Sequence, residues 1–242
     1  MLEPIERQSL SQAVYERLRD GIVSGELSSG TKLPSERQLA ETLGVNRGAI
    51  REALKRLEQA RLVQIRQGGA ARVLDYQASA GMDLLSELLF AGGNLDLQVA
   101  RSVVEMRACL GPEIARRCAE RGGAEIAERL ASIVDGLEAE DDLEQRQAAS
   151  LEFWDALVEG SRNVAYRLAY NSLRASYDSF RTALVQVLGE ELKSADLFRA
   201  VAEAVRAGDP DAAHSQASEL LARGARGLAA MFDALEAFPG RD

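Results

Sequence analysis

Arg47, Arg51 and Lys55 recur at four-residue steps in this 242-residue chain, so on a helix they share one face. Ile50, Leu54 and Leu57 repeat on a displaced face, which leaves one side to pack and the other cationic. The chemistry such a helix offers is recognition of a polyanion. Guanidinium groups near a helix start can meet base edges in a major groove or hold phosphate, and arginine pairs two N–H groups with guanine O6 and N7. The plain alternative is a solvated basic face on a helical hairpin.

Catalytic chemistry finds little support. His214 is the one histidine and stands beside Ala212 and Ala213, on what reads as a polar helix, far from any Ser-His-Asp or Cys-His pattern. Gly68-Gly69 and Gly92-Gly93 lack the surroundings of a phosphate-binding loop. Cys109 and Cys118 are nine residues apart, which puts them on opposite sides of a shared helix, so they cannot bridge within it and read as small core residues. No catalytic residue and no cofactor is expected, and the chain does not read as an enzyme.

The cationic helix must be positioned by what precedes and follows it. From Ser35 to Leu57 the pattern is two helices around a tight turn. Leu39, Leu43 and Val45 give the first helix and the turn an apolar side, and Gly44 supplies the sharp corner. Upstream, Ser9 opens a helix whose Leu10, Val14, Leu18 and Ile22 repeat every four residues, and Pro34 is a natural entry residue for the next. Downstream, Leu62–Arg66 and Ala71–Leu74 read as strands joined by a turn at residues 67–70, which is a wing.

Leu33-Pro34-Ser35-Glu36-Arg37, then Gly44-Val45-Asn46-Arg47, then Arg51-Glu52-Ala53-Leu54, then Gln67-Gly68, resembles the winged-helix half of the GntR family of bacterial transcription regulators. That resemblance implies DNA contacts at Arg37, Arg47 and Arg51, with Asn46, Gly48 and Ala49 at the start of the recognition helix. The wing tip, Gln67, Gly68 and Gly69, would enter the minor groove. Ala70 departs from the pattern, since many relatives carry a second wing glycine there.

The length favours two domains, and 46% hydrophobic with 28% charged residues suits a globular protein with a real core. The amino terminus shows no cationic start followed by an apolar run, and no apolar stretch approaches the roughly 20 residues of a membrane helix, so a cytoplasmic protein is expected. Net charge is −9 but unevenly placed. Residues 1–76 hold 12 Lys and Arg against 10 Asp and Glu, a net of +2, while the remaining 17 basic and 28 acidic residues give −11. Binding to DNA should then be weak away from a specific site and sensitive to salt.

The polar link at residues 75–79 marks a domain boundary, giving a winged helix-turn-helix over 1–76 and a helical effector-binding and dimerisation domain over 77–242. Beyond Ala80 the apolar spacing is helical throughout. Met82, Leu85, Leu88 and Leu89 mark a linking helix, and Val99, Val103, Met106, Leu110 and Ile114 mark the next, bent at Gly111-Pro112. Further helices are expected near 123–138, 142–160, 163–188, 191–207 and 210–236, so the fold class is mainly α, a winged helix followed by an all-helical bundle of six or seven helices.

This second part is similar to the effector domain of the FadR branch of the same family. Most relatives there hold a divalent metal through one Asp and three His, and the resemblance places Ser150, Trp154, Phe198 and Leu220 at those four positions. None is a metal ligand of that kind, so no metal site is expected. Apolar replacements suit an apolar ligand such as a fatty acyl-CoA or another apolar acid, with Trp154, Phe198 and Leu220 lining the pocket; the plain alternative is a filled core. Arg107 stands where the acyl-CoA-responsive FadR has an arginine, and Tyr166, Asn171 and Tyr177 fit its corresponding helix. Arg107 and Tyr177 would join the effector site, unless Arg107 simply pairs with Glu113 or Glu105. The expected protein is a homodimeric regulator that binds an inverted-repeat operator in double-stranded DNA, is modulated by a small effector and has no membrane partner. The alternative is a ligand-independent dimeric DNA binder whose helical part is only structural.

Overall fold

The computed structural model describes residues 9–66, 70–178 and 180–237. The chain divides into two compact units, Met1–Asp96 and Leu97–Asp242.

In the first unit, α1 (Leu10–Val23) starts where the Ser9 hydroxyl accepts the Gln12 N–H, and it buries Val14, Tyr15, Leu18 and Ile22. α2 (Glu36–Leu43) starts with a reciprocal cap, in which Ser35 Oγ accepts the Gln38 N–H at 3.3 Å while Gln38 Oε1 accepts the Ser35 N–H at 3.0 Å. Gly44 ends α2 in the left-handed region, φ 65°, where a side chain would be strained, and so turns the chain sharply into α3 (Arg47–Gln59). Ile50, Ala53, Leu54 and Leu57 of α3 join Leu39 and Ala40 of α2 and the α1 residues in one core. Each fully buried Leu or Ile in it is worth roughly 1.5–3 kcal/mol of transfer free energy.

β1 (Val63–Gln64) pairs antiparallel with β2 (Arg72–Val73), Val63 opposite Val73, both buried in the same core. A third segment, read from sequence only as a lead-in to α2, runs along β2: Lys32 bridges Arg72, the Leu33 N–H donates to Ala71 O at 2.8 Å, and Val73 N–H donates to Thr31 O at 2.9 Å. The expected wing tip, Gln67, Gly68 and Gly69, lies outside the described residues.

The chain continues through α4 (Tyr76–Ser79), a 3-10 turn (Met82–Leu84) and α5 (Leu85–Leu88), in place of one longer linking helix. Leu84 is buried in the first unit's core and Leu88 packs against it, while Glu87 accepts from Arg19 of α1 at 2.9 Å. These contacts carry the compact unit through Asp96, beyond the boundary at residue 76 drawn from composition.

The second unit consists, among its described residues, of α6 (Leu97–Arg121), α7 (Gly123–Ala139), α8 (Leu143–Gly160), α9 (Val164–Asp178), α10 (Arg181–Val187), α11 (Gly189–Leu192), α12 (Ala195–Ala207) and α13 (Pro210–Ala237). Pro112 sits inside α6, which continues through it. The helix expected over 163–188 is two, ending at Asp178 and restarting at Arg181, and the one expected from 191 is the single turn α11 followed by α12. The long α6 and α13 pack together with α7, α8 and α12 around Ile114, Cys118, Leu130, Val134, Phe153, Leu157, Phe198, Val201 and Leu220. Cys118 is buried in this core and Cys109 is exposed, both as free thiols.

Candidate functional site

The first unit presents a concave, cationic face. Because Ile50, Leu54 and Leu57 turn α3 inward, Arg47, Arg51 and Lys55 are left outside, and with Pro34, Arg37, Ile65 and Ala70 they line an open groove between α2, α3 and the hairpin. Glu58 fastens the hairpin to α3 by accepting the Ile65 N–H at 2.8 Å. Arg37, Arg47 and Arg51 are 73%, 63% and 59% exposed, so their guanidinium groups are available to a partner.

Not every residue expected here has the same role. Asn46 caps α3, its Oδ1 accepting the Ala49 N–H at 2.9 Å, so this carboxamide oxygen and that backbone donor already serve each other. Ala49 is buried at 7% and packs inward, which gives it a core position rather than a base-reading one. Gly48 is exposed, and a Cβ there would stand 3.0 Å from Asn46 Oδ1, so a side chain at that position would crowd the cap.

One residue of this face was not singled out from sequence. Glu36, the first residue of α2, places Oε2 3.1 Å from Arg51 Nη2 and 3.8 Å from Arg47 Nη2, with Oε1 3.5 Å from Arg51 Nε. Hydrogen bonding from Arg51 holds its carboxyl below the usual carboxylate range.

In the second unit, Arg107 of α6 pairs with Glu191 of α11 rather than with Glu113 or Glu105. Glu113 instead holds Arg116 and Arg117. Tyr177 lies beside the pair: burial pushes its phenol up to about 12, against the opposing pull of Arg107, Gln147 and Arg181. Gln147 is itself buried and ties α8 to α10, donating to Arg181 O at 2.8 Å and accepting from Arg181 Nε at 3.2 Å. Arg107, Gln147, Tyr177, Arg181 and Glu191 therefore form one polar cluster drawn from five helices.

The apolar residues expected to line an effector pocket are packed. Phe198 and Leu220 have no exposed surface and Trp154 has 7%. Phe153 contacts Phe198 edge to face at 5.0 Å, and the Trp154 ring lies against Gly111, one turn along α6 from Arg107. Two buried polar atoms have no hydrogen-bond partner among the described residues, Trp154 Nε1 and Glu191 Oε2. Ser150 is buried in α8. The described residues contain no cluster of three or more His, Cys, Asp or Glu placed to hold a metal ion, and no helix long and apolar enough to cross a membrane.

Comparison with known proteins matches two separate regions of the chain. Residues 10–73 match the profile described as bacterial regulatory proteins, gntR family, and residues 102–223 match the FCD domain. The chain is 41% identical over 220 residues to the HTH-type transcriptional regulator Mce2R of Mycobacterium tuberculosis, covering 91% of this chain and 92% of that one. It is 27% identical over 176 residues to the fatty acid metabolism regulator protein of Serratia proteamaculans, covering 72% and 71% respectively. Among solved structures, a GntR-family transcriptional regulator from Pseudomonas syringae pv. tomato shares the fold with a TM-score of 0.51, at 22% identity over 96% of this chain and 89% of that one.

Proposed function

The chain belongs to the GntR family of bacterial regulatory proteins and carries an FCD domain, and on that premise we propose that it acts as a homodimer whose winged helices grip the two halves of an inverted-repeat operator. Arg47 and Arg51 read base edges in the major groove, Arg37 anchors the register on phosphate or a neighbouring base, and residues 67–69 follow the minor groove. The observation that carries this reading is the inward packing of Ile50, Leu54 and Leu57, which leaves Arg47, Arg51 and Lys55 together on the open side of α3. The winged helix proper is residues 1–76, and residues 77–96 couple it to the helical part. The chain works in the cytoplasm and performs no catalysis.

The effector is an apolar acid, with a fatty acyl-CoA the leading candidate, entering beside Arg107, Tyr177 and Trp154. Support comes from the unpartnered Trp154 Nε1, a donor that the acid or carbonyl oxygen of such a ligand can accept from, since a buried polar atom without a partner costs about 1–3 kcal/mol. Phe198 and Leu220 would have to move aside for an acyl chain, because both are fully buried. The test is a duplex recovered from genomic DNA by selection with the intact protein, followed by titration with fatty acids and acyl-CoAs of graded chain length. Release that strengthens with chain length is expected; indifference to every acyl compound refutes the effector class and favours a purely structural helical unit.

A further inference from the structure

The groove that faces DNA contains an acid between its bases. Glu36 is one-third exposed on the same concave surface as Arg37, Arg47, Arg51 and Lys55. Both of its oxygens lie toward the Nε and Nη2 edge of Arg51, at 3.5 and 3.1 Å, and Oε2 also lies 3.8 Å from Arg47 Nη2. A carboxylate at this place is unfavourable for binding a phosphate backbone in general, because it repels the polyanion and engages two cations that would otherwise neutralise it. As the first residue of a helix, an acid here also favours the helix end, but that role requires no reach toward α3.

We propose that Glu36 is a positioning and specificity-determining residue of the DNA-reading face: it holds Arg51 and Arg47 so that their guanidinium groups meet bases, and it penalises duplexes that lack acceptors able to compete for them. This rests on the assignment of Arg47 and Arg51 as base-reading residues. On non-cognate DNA the two arginines gain only phosphate contacts, which must be made beside the Glu36 charge. On the operator, guanine O6 and N7 accept from the free N–H edge of an arginine whose other edge is already fixed. Specificity is a difference between two affinities, and a repulsive element lowers the wrong one more than the right one.

The experiment uses the full-length protein with Glu36→Gln, which keeps the shape of the side chain and removes its charge. The probes are the duplex recovered by selection with the wild-type protein and a shuffled duplex of the same composition, each measured across a salt series. The shuffled duplex should bind more tightly while the selected one gains little or loses. The ratio of the two affinities should then fall by about tenfold, and the salt dependence on the shuffled duplex should steepen by about one unit in the log–log slope. In an Arg47→Ala/Arg51→Ala background, Glu36→Gln should leave the ratio unchanged. Equal tightening on both duplexes would overturn the proposal in favour of simple repulsion, and no change on either would reduce Glu36 to a helix-end residue. Failure of the wild-type protein to select any sequence would instead overturn the base-reading assignment beneath it. A variant that lost its helical circular dichroism would be replaced by Glu36→Asp, whose shorter reach should lower the ratio without altering net charge; an unaltered ratio would count against the proposal.

Discussion

Replacing Arg107 by alanine separates two roles, anchor for an effector and partner for a buried acid. Glu191 is 1% exposed, its Oε1 takes an N–H of Arg107, and its Oε2 has no partner among the described residues. Gly224 of α13 backs onto that second oxygen, and a methyl group there would overlap it. Arg107→Ala therefore strands a buried charge. Losing one member of a buried pair costs about 3–5 kcal/mol, and because the Arg107 side chain is 27% exposed the lower end, about 3 kcal/mol, is expected. At roughly 2–4 °C per kcal/mol for a chain of this size, the helical transition should move down by roughly 6–12 °C without any ligand. Adding Glu191→Gln removes the stranded charge and should recover a substantial part of the loss, a coupling that a double-mutant cycle measures directly. Thermal unfolding followed by circular dichroism, for wild type, both single variants and the double, is the assay. An Arg107→Ala protein melting within about 1 °C of wild type would refute the structural pair and leave Arg107 free to act only as a ligand anchor.

On the DNA side, Arg47→Ala should weaken operator binding by about 1–3 kcal/mol and relax preference at one base pair of each half-site, read by competition with single-substituted duplexes. Burial pushes the Cys118 thiol from 9.0 up to about 12. The unfolded chain releases that proton near pH 9 while the folded one keeps it, so the contribution is whole below pH 9 and is lost as pH rises towards 12, at about 1.4 kcal/mol per pH unit. Cys118→Ala should accordingly flatten the decline in urea midpoint between pH 9 and 10, before Tyr177 adds a loss of the same sign from 10 to about 12; an unaltered slope would contradict the burial of the thiol. Treatment with a chelator should leave both melting and operator affinity unchanged, because Ser150, Trp154, Phe198 and Leu220 offer no hard or imidazole ligand set, and one metal per chain by elemental analysis would contradict this.

What the sequence revealed was local and periodic. Leu39, Gly44, Ile50, Leu54 and Leu57 determine two helices and the corner between them through spacing and backbone freedom alone, and the hairpin follows from alternating Val63 and Val73 around a turn. What it concealed depends on distant partners. Lys32 pairs with Arg72 across forty residues, and Glu191 meets Arg107 across 84, neither of which periodicity can foresee. The break between Asp178 and Arg181 carries no Gly or Pro, so the helical pattern runs through it unmarked. Glu36 carries no signal of its own in the sequence, because its importance lies in the geometry of α2 against α3, which turns a residue fifteen positions before Arg51 towards its guanidinium. The linking segment likewise joined the first unit through Leu84 and Glu87, contacts to α1 that composition does not express. Phe198 and Leu220 look alike from sequence whether they line a pocket or fill a core, and burial places both in the core.

The most direct test of the central claim is selection of random-sequence DNA by the intact protein, with sequencing of the bound pool and a salt titration of the winning duplex. The account predicts an inverted repeat whose half-sites lie about one helical turn apart, bound at least about a thousandfold more tightly than shuffled DNA, with enrichment abolished by Arg47→Ala/Arg51→Ala. A bound pool with no common sequence, or an enriched sequence that the double variant still selects, would contradict it.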